Sequence, residues 1–331
     1  MEHTLSLPIA YSSELSTAGL AETSTIGDYI QAATSDNTRR AYQSDIRHFM
    51  EWGGILPAST EIILHYLQQH AIQLNPRTLV RRLTGLKQWH VCQGFTDPTA
   101  HPLVRKTLKG IQYKQGIPKE KASPLTLEIL QQLVIFLRQS QRLIEARNNA
   151  LLQIGFFGAF RRSELVAIQW EHIHWVPEGV EIMIPRSKTD QIGEGQICAI
   201  PYGDDLLCPV NALKQWCESA NIASGAIFRR VTKDNHLQEQ AITAQQWNAI
   251  FKSMIRAAGL PDPDSYSSHS LRRGFASTAS KKGAPFGAIM QQGRWRHEGT
   301  VLGYIEEGKR FDSNAALHIL KSQAEKNDQS T

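Results

Sequence analysis

The sequence predicts a mainly α-helical protein of two domains: an all-helical N-terminal domain and an α+β second domain with a small antiparallel sheet. Three observations indicate this class. Apolar residues recur at helical spacing along most of the chain. Residues 180–184 alternate like a strand, and residues 196–200 follow across a glycine-bearing turn, which is typical of a hairpin. The length of 331 residues is about that of two ordinary domains.

The N-terminal elements begin with residues 1–25, which are rich in Ser, Thr and Ala without clear periodicity and predict a flexible arm. A helical domain follows over residues 26–112, and its helices are indicated by caps placed before apolar residues at helical spacing. These helices begin after Ser35, span residues 60–70, begin at Asn75-Pro76, and span residues 101–112. Five arginines in this domain are candidates for contact with a phosphate backbone: Arg39, Arg40, Arg77, Arg81 and Arg82.

Residues 113–124 contain two prolines and several lysines but no apolar periodicity, so they predict a linker. The second domain is expected over residues 125–311. Its predicted helices span residues 127–139, 144–157, 209–220, 244–258 and 270–282, and its hairpin lies between the second and third of them. The tail, residues 312–331, has the caps and apolar side of a helix too short to be stable alone, so it must dock on its own domain or on a neighbouring copy.

Composition and charge limit the function. With 41% hydrophobic and 20% charged residues, the chain is typical of a globular protein, and it lacks both a membrane-spanning stretch and a secretory signal, so we expect the cytoplasm. Four cysteines without metal-ligand spacing predict reduced thiols. Residues 1–36 carry five acidic side chains and no Lys or Arg, so the remaining 36 basic and 26 acidic residues give a formal charge of +10. That charge favours a polyanionic partner.

Tyr304 is the candidate nucleophile. A phenol oxygen that attacks the phosphorus of a DNA phosphodiester forms a covalent phosphotyrosine, which conserves the energy of the broken bond. A tyrosine among apolar neighbours is also typical of a packed core residue. Gly303 and Gly308 indicate a segment that can move, which favours the catalytic interpretation.

Arg161 and Arg272 are candidates for binding the phosphate, because guanidinium groups stabilise charge on nonbridging oxygens without giving up a proton. A single arginine more often forms a surface ion pair, and Glu164, three residues after Arg161, is placed to make one. Lys188, in a Ser-Lys-Thr sequence of the predicted hairpin, is the candidate proton donor to the departing 5′ oxygen. A solvated hairpin charge is the alternative for that lysine.

His269 lies one helical turn before Arg272 and is placed to accept the tyrosine proton or to hold the phosphate. Trp295 can donate its indole hydrogen and pack the site. No group of His, Cys, Asp and Glu with metal-ligand spacing accompanies these residues, so we expect neither a metal nor another cofactor.

In order and spacing, Arg161, Lys188, His269-x-x-Arg272, Trp295 and Tyr304 resemble the active site of the tyrosine recombinase (phage integrase) family. The resemblance covers residues 124–311 well and residues 35–52 more loosely. It implies that Glu164 supports the site, and some members carry tryptophan where many have histidine. His297 competes for that position but lies seven residues before Tyr304 rather than nine. The sequence departs from the usual pattern of the family at two positions. Arg294 stands where a small residue is usual, and Arg162 stands where an aliphatic residue is usual.

The resemblance implies a function and an assembly. Residues 26–112 would be a core-binding domain and residues 125–311 a catalytic domain of a site-specific DNA recombinase that acts through a 3′-phosphotyrosine and a Holliday junction. Its expected partners are double-stranded DNA with inverted-repeat sites and three further copies of the chain, which form a homotetramer on the DNA. Accessory DNA-bending proteins are possible further partners. The C-terminal tails are expected to be exchanged between neighbouring copies. The alternatives are a type IB topoisomerase-like enzyme and a DNA-binding relative without catalysis.

Overall fold

The computed structural model describes residues 33–118, 120–185, 195–308 and residue 316. They belong to two compact units, which divide between Glu120 and Lys121. The predicted class is confirmed: the protein is mainly helical and carries small antiparallel sheets. The predicted arm at 1–25, most of the predicted tail at 312–331, and Lys188 lie outside the described residues. No helix in the described part is long and apolar enough to cross a membrane.

Four α-helices form the described part of the first unit. They are α1 (Asp36–Glu51), α2 (Thr60–His70), α3 (Pro76–Cys92) and α4 (Pro102–Gln115). Each begins where the sequence offers a cap: for example, Asn75 Oδ1 accepts from the Arg77 amide at 2.9 Å, and Pro76 occupies the first turn, where no amide hydrogen is needed. The core contains fully buried Phe49, Tyr66 and Leu86. Helix α4 ends at Gln115, because Gly116 and Pro118 follow, and so covers the start of the predicted linker.

The second unit is built around one buried helix. Its helices are α5 (Leu127–Arg138), α6 (Leu143–Phe157), α7 (Arg162–Val166), α8 (Pro209–Ser219), α9 (Ala244–Ala257), α10 (His269–Lys281), α11 (Phe286–Gly293) and α12 (Glu298–Gly308). Residues 147–156 of α6 are all buried, as expected for a helix packed on every side. Trp216, Trp247 and Phe251 belong to the same core and are 0% exposed.

Two antiparallel sheets lie in this unit. Strands β1 (Ile173–Val176), β2 (Gly179–Ile184) and β3 (Gln196–Pro201) form the first, with β2 in the middle and Ile182 opposite Cys198. Strands β4 (Arg229–Val231) and β5 (Leu237–Ala241) form the second. The pairing of β2 with β3 agrees with the predicted hairpin. Strand β1 and the second sheet were not predicted, because segments of three to five residues give too little alternation to detect.

Candidate active site

Two arginines of the predicted site are held by segments that pack on the central helix. Gly155 of α6 leaves room for Leu165 of α7 and Leu271 of α10: a β-carbon there would lie 2.9 Å and 3.1 Å from their Cδ2 atoms. Arg161 immediately precedes α7, and Arg272 follows Leu271. The packing of α7 and α10 on α6 therefore positions the segments that carry Arg161 and Arg272.

Arg161 and Glu164 form a capping pair at the start of α7. The backbone amide of Arg161 donates to Glu164 Oε2 at 3.0 Å, and its Nη1 donates to Oε1 at 2.5 Å. Burial is the largest influence on Glu164 and raises its pKa. The hydrogen bonds from Arg161 and the charges of Arg161 and Arg294 outweigh burial, so the pKa of Glu164 lies below its ordinary value. An ionised Glu164 that orients Arg161 fits the supporting role expected for it.

Arg294, noted in the sequence only as a departure, contacts the same carboxylate. Its Nη2 lies 3.5 Å from Glu164 Oε2 and donates to the Gly158 carbonyl at 3.1 Å. Its backbone is left-handed, with φ of 54°, a conformation that glycine adopts without strain. That conformation ends α11 and explains why a small residue suits the position. The sequence signal that pointed to Arg294 was its place next to Trp295; its partners come from a distant segment.

Arg272 is buried in the site and only 2% exposed. Its Nη1 donates to the carbonyl of Ala159, a residue in a left-handed turn with φ of 45°. Its guanidinium carbon lies 4.3 Å from the centre of the Trp295 ring. Burial first, and then the charge of Arg161, lower the pKa of Arg272 to about 9. The negative charge of a bound anion would favour the charged form of Arg272 and so oppose this lowering, which means that the surroundings of Arg272 suit a negatively charged ligand.

The Tyr304 hydroxyl meets the imidazole of His269. Tyr304 OH and His269 Nε2 are 3.2 Å apart, within hydrogen-bond distance. His269 is the exposed first residue of α10, and two bonds hold the turn before it: its amide donates to Ser267 Oγ at 3.2 Å, and the Ser268 amide donates to Asn248 Oδ1 at 2.9 Å. The ring centres of Tyr304 and Trp295 are 6.3 Å apart. The phenol, imidazole, indole and Arg272 therefore form one connected cluster.

Helix α12, which carries Tyr304, packs closely on α10. Val301 is fully buried in a small core with Ala276 and Ile289. A β-carbon on Gly308 would lie 2.8 Å from the Ser277 β-carbon, so glycine is needed for the close approach. Gly308 therefore has a packing role, and the mobility inferred from Gly303 and Gly308 stays a prediction. A β-carbon on Gly303 would meet no atom within 4 Å.

Among the residues that the structure describes, the cluster contains more positive than negative side chains. Three guanidinium groups, from Arg161, Arg272 and Arg294, surround the carboxylate of Glu164. The cluster therefore carries an excess of positive charge, and one of its guanidinium groups, that of Arg272, lies close enough to Tyr304 to interact with it electrostatically. Lys188 falls in residues 186–194, which the structure does not describe, between strands β2 and β3. Among the described residues, no three His, Cys, Asp or Glu side chains come together as a metal site.

The arginines predicted to contact DNA differ in their surroundings within the first unit. Arg81 Nη2 lies 2.8 Å from Asp45 Oδ1, and Arg82 Nη1 donates to the Tyr66 hydroxyl at 3.0 Å. The Arg82 side chain is 13% exposed, which indicates a packing role beside any contact with DNA. Arg39 and Arg40 pair locally with Asp36 and Asn37, whereas Arg77 donates to the carbonyl of Ile117, 40 residues later in the chain. Phosphate contact by these five arginines stays a prediction.

Comparison with known proteins gives the family. The sequence profile described as the phage integrase family matches residues 124–310, more than half of the chain. This chain belongs to the phage integrase family. An integrase/recombinase xerD homolog of Selenomonas ruminantium is 37% identical over 295 residues, which is 86% of this chain and 86% of the relative. Tyrosine recombinase XerD of Pseudomonas putida is 26% identical over 272 residues, 77% of this chain and 82% of the relative.

Solved structures show the same fold. XerH site-specific recombinase bound to a palindromic difH substrate has a TM-score of 0.60 at 18% identity, with 84% of this chain and 78% of that chain covered. The Tn1549 transposon integrase in complex with transposon right end DNA has a TM-score of 0.59 at 12% identity, with 90% of this chain and 96% of that chain covered.

This integrase-family protein is a tyrosine recombinase, an enzyme that cleaves and rejoins DNA at specific sites, and its partner is DNA.

Proposed function

We propose that Tyr304 is the nucleophile of this recombinase and that it forms a 3′-phosphotyrosine with DNA. The observation that carries the proposal is the 3.2 Å contact between the Tyr304 hydroxyl and His269 Nε2, next to the buried guanidinium of Arg272. The phenol oxygen bonds to phosphorus, the bond from phosphorus to the 5′ oxygen breaks, and His269 accepts the phenol proton. In the reverse reaction a 5′ hydroxyl attacks the phosphotyrosine and restores the diester.

Arg161 and Arg272 bind the nonbridging oxygens in this proposal. Their charges stabilise the pentacoordinate transition state, and their positions are set before DNA binds, so little reorganisation is needed during the reaction. Glu164 and Arg294 act on Arg161 rather than on the DNA, because Glu164 Oε1 accepts from Arg161 Nη1 at 2.5 Å and Arg294 neutralises part of the Glu164 charge. Trp295 packs against both Arg272 and Tyr304.

Lys188 is proposed as the proton donor to the 5′ oxygen, which leads to a selective rescue. In a substrate with sulfur in place of that bridging oxygen, the leaving thiolate needs no proton. Lys188→Ala should therefore cleave ordinary DNA on the order of 10²-fold more slowly than the parent, but cleave the sulfur substrate at a similar rate. Cleavage rates are measured with both substrates on the same preparation. Equal losses on both would remove Lys188 from this role.

The proposed assembly is a tetramer that joins two DNA sites with inverted repeats and exchanges strands through a Holliday junction. The formal charge of +10 outside residues 1–36 supports a long DNA contact. The structurally similar XerH acts on a palindromic substrate. Exchange of the 312–331 tails between copies and the use of accessory DNA-bending proteins belong to the same proposal. The cytoplasm remains the proposed location because the substrate is DNA.

The decisive experiment first identifies the target and then separates the activities. The protein is incubated with a library of nicked DNA fragments, in which loss of a short 5′ piece traps the covalent complex, and the trapped DNA is sequenced. We expect one enriched site, and a plasmid with two copies of it should yield recombined circles. Relaxation of supercoils without exchange would indicate the topoisomerase-like alternative. Binding without a covalent complex would indicate the non-catalytic alternative.

A further inference from the structure

Arg273, the neighbour of Arg272, is buried in a place that the proposed chemistry does not use. It is 3% exposed. Its guanidinium carbon lies 5.4 Å from the centre of the Tyr304 ring. Its Nη2 donates to Glu307 Oε2, and its Nη1 donates to the Ala122 carbonyl. A buried guanidinium group is costly unless it is paired, so these contacts hold Arg273 in one position.

Glu307 lies on the same helix as Tyr304, three residues later, and therefore on the same face one turn along. Arg273 thus contacts α12 at two successive turns, at the phenol ring and at the carboxylate. Together with the packing of Val301 and Gly308, these two contacts along one face restrict the rotation of α12 and its shift along α10.

A second cation contacts the same carboxylate. Lys121 Nζ lies 3.6 Å from Glu307 Oε2. Burial raises the pKa of Glu307, but the hydrogen bond and charge of Arg273 and the charge of Lys121 outweigh it, so the pKa is lower than usual. The first residues of the second unit also run along α10: a β-carbon on Gly274 would lie 1.9 Å from the Leu125 carbonyl oxygen. Arg273 and Glu307 therefore join α10, α12 and residues 121–125.

We propose that Arg273 and Glu307 are a positioning pair for the nucleophile. Arg273 places the Tyr304 hydroxyl through Glu307 and through the phenol ring, and neither residue touches the DNA that reacts. The inference rests on the proposed role of Tyr304. Misplacement of a reacting atom by about 1 Å can lower a rate by about 10²-fold, so loss of the pair should slow cleavage without weakening DNA binding.

The test uses the full chain and two substitutions of the pair, Glu307→Gln and Arg273→Gln, with their double variant. Glu307→Gln keeps the size and an acceptor oxygen but removes the charge, and the Glu307 side chain is 29% exposed, so the fold should tolerate it. The matched control is Asp264→Asn, which removes the charge from an exposed pair with Arg256 at 2.8 Å in the same unit. Cleavage of nicked DNA is measured at saturating protein, with DNA affinity and melting temperature measured separately.

We expect each pair variant to cleave about tenfold or more slowly at saturation, with DNA affinity unchanged within about twofold and the control like the parent. The double variant should lose no more than the slower single variant, because the two residues act as one unit. Multiplied losses in the double variant, or cleavage by Glu307→Gln within twofold of the parent, would overturn the proposal. Equal losses of rate, affinity and stability would assign the pair to folding instead.

Tyr304→Phe in the same assay distinguishes a failure of the positioning pair from a failure of the proposed nucleophile. A covalent complex with Tyr304→Phe would mean that the nucleophile is wrongly assigned. Loss of that complex together with normal cleavage by both pair variants would reject only the positioning pair.

Discussion

Tyr304→Phe is expected to abolish the covalent DNA complex while DNA affinity stays unchanged. The substitution removes one oxygen, and the ring keeps its contacts with Trp295 at 6.3 Å and with Arg273 at 5.4 Å. The hydroxyl contacts His269, whose exposed ring can bind water instead, so no buried polar group loses its partner. The free energy of unfolding should therefore change by less than about 0.5 kcal/mol.

The measurement is a denaturing gel of protein mixed with nicked target DNA, in which the covalent complex migrates as a separate band. Tyr202→Phe is the matched control: Tyr202 is exposed and its hydroxyl accepts from Lys214 Nζ at 2.6 Å, and this variant should form the complex normally. A complex with Tyr304→Phe at the parent level would mean that another group attacks the phosphate.

The parts of the site that the sequence could predict are those set by spacing within one helix. His269 and Arg272 are one turn apart, and the Arg161 and Glu164 contact joins residues three apart at a helix start. Such pairs follow from helical geometry alone. The resemblance added the relation between these pairs and Tyr304, which lies 35 residues after His269 in the sequence.

The contacts that the sequence could not predict join segments far apart in the chain. Arg294 reaches a carbonyl 136 residues earlier, and Arg273 reaches one 151 residues earlier. In the sequence, Arg273 has no feature that distinguishes it, and its neighbour Arg272 already matches the predicted phosphate-binding position. Periodicity likewise cannot show that Arg82 lies against Tyr66, because the hydrogen-bond partner of a polar side chain depends on packing between helices. For the same reason the sequence could not show that Gly308 allows α12 to approach Ser277.

Arg272→Ala and Arg161→Ala should each lower the cleavage rate by about 10² to 10³ or more, because in the proposed mechanism each arginine supplies a positioned charge to the transition state. The two variants should differ in stability. Arg272 is 2% exposed and stacks on Trp295, so its loss leaves a cavity and an unpaired Ala159 carbonyl. After Arg161→Ala, the carboxylate of Glu164 still has Arg294 at 3.5 Å. Arg272→Ala should therefore melt at the lower temperature.

Lysine substitutions separate charge from geometry at these two positions. Arg272→Lys and Arg161→Lys keep the positive charge but lose the planar fork that binds two oxygens at once. If the fork positions the phosphate, both lysine variants should remain at least about tenfold slower than the parent while binding DNA normally. Single-turnover cleavage at saturating protein is the measurement, with melting temperature as the check on folding. Full activity of the alanine variants would remove the arginines from the mechanism. Full activity of the lysine variants would mean that the two arginines contribute only their charge, since a single ammonium group cannot reproduce a two-point contact.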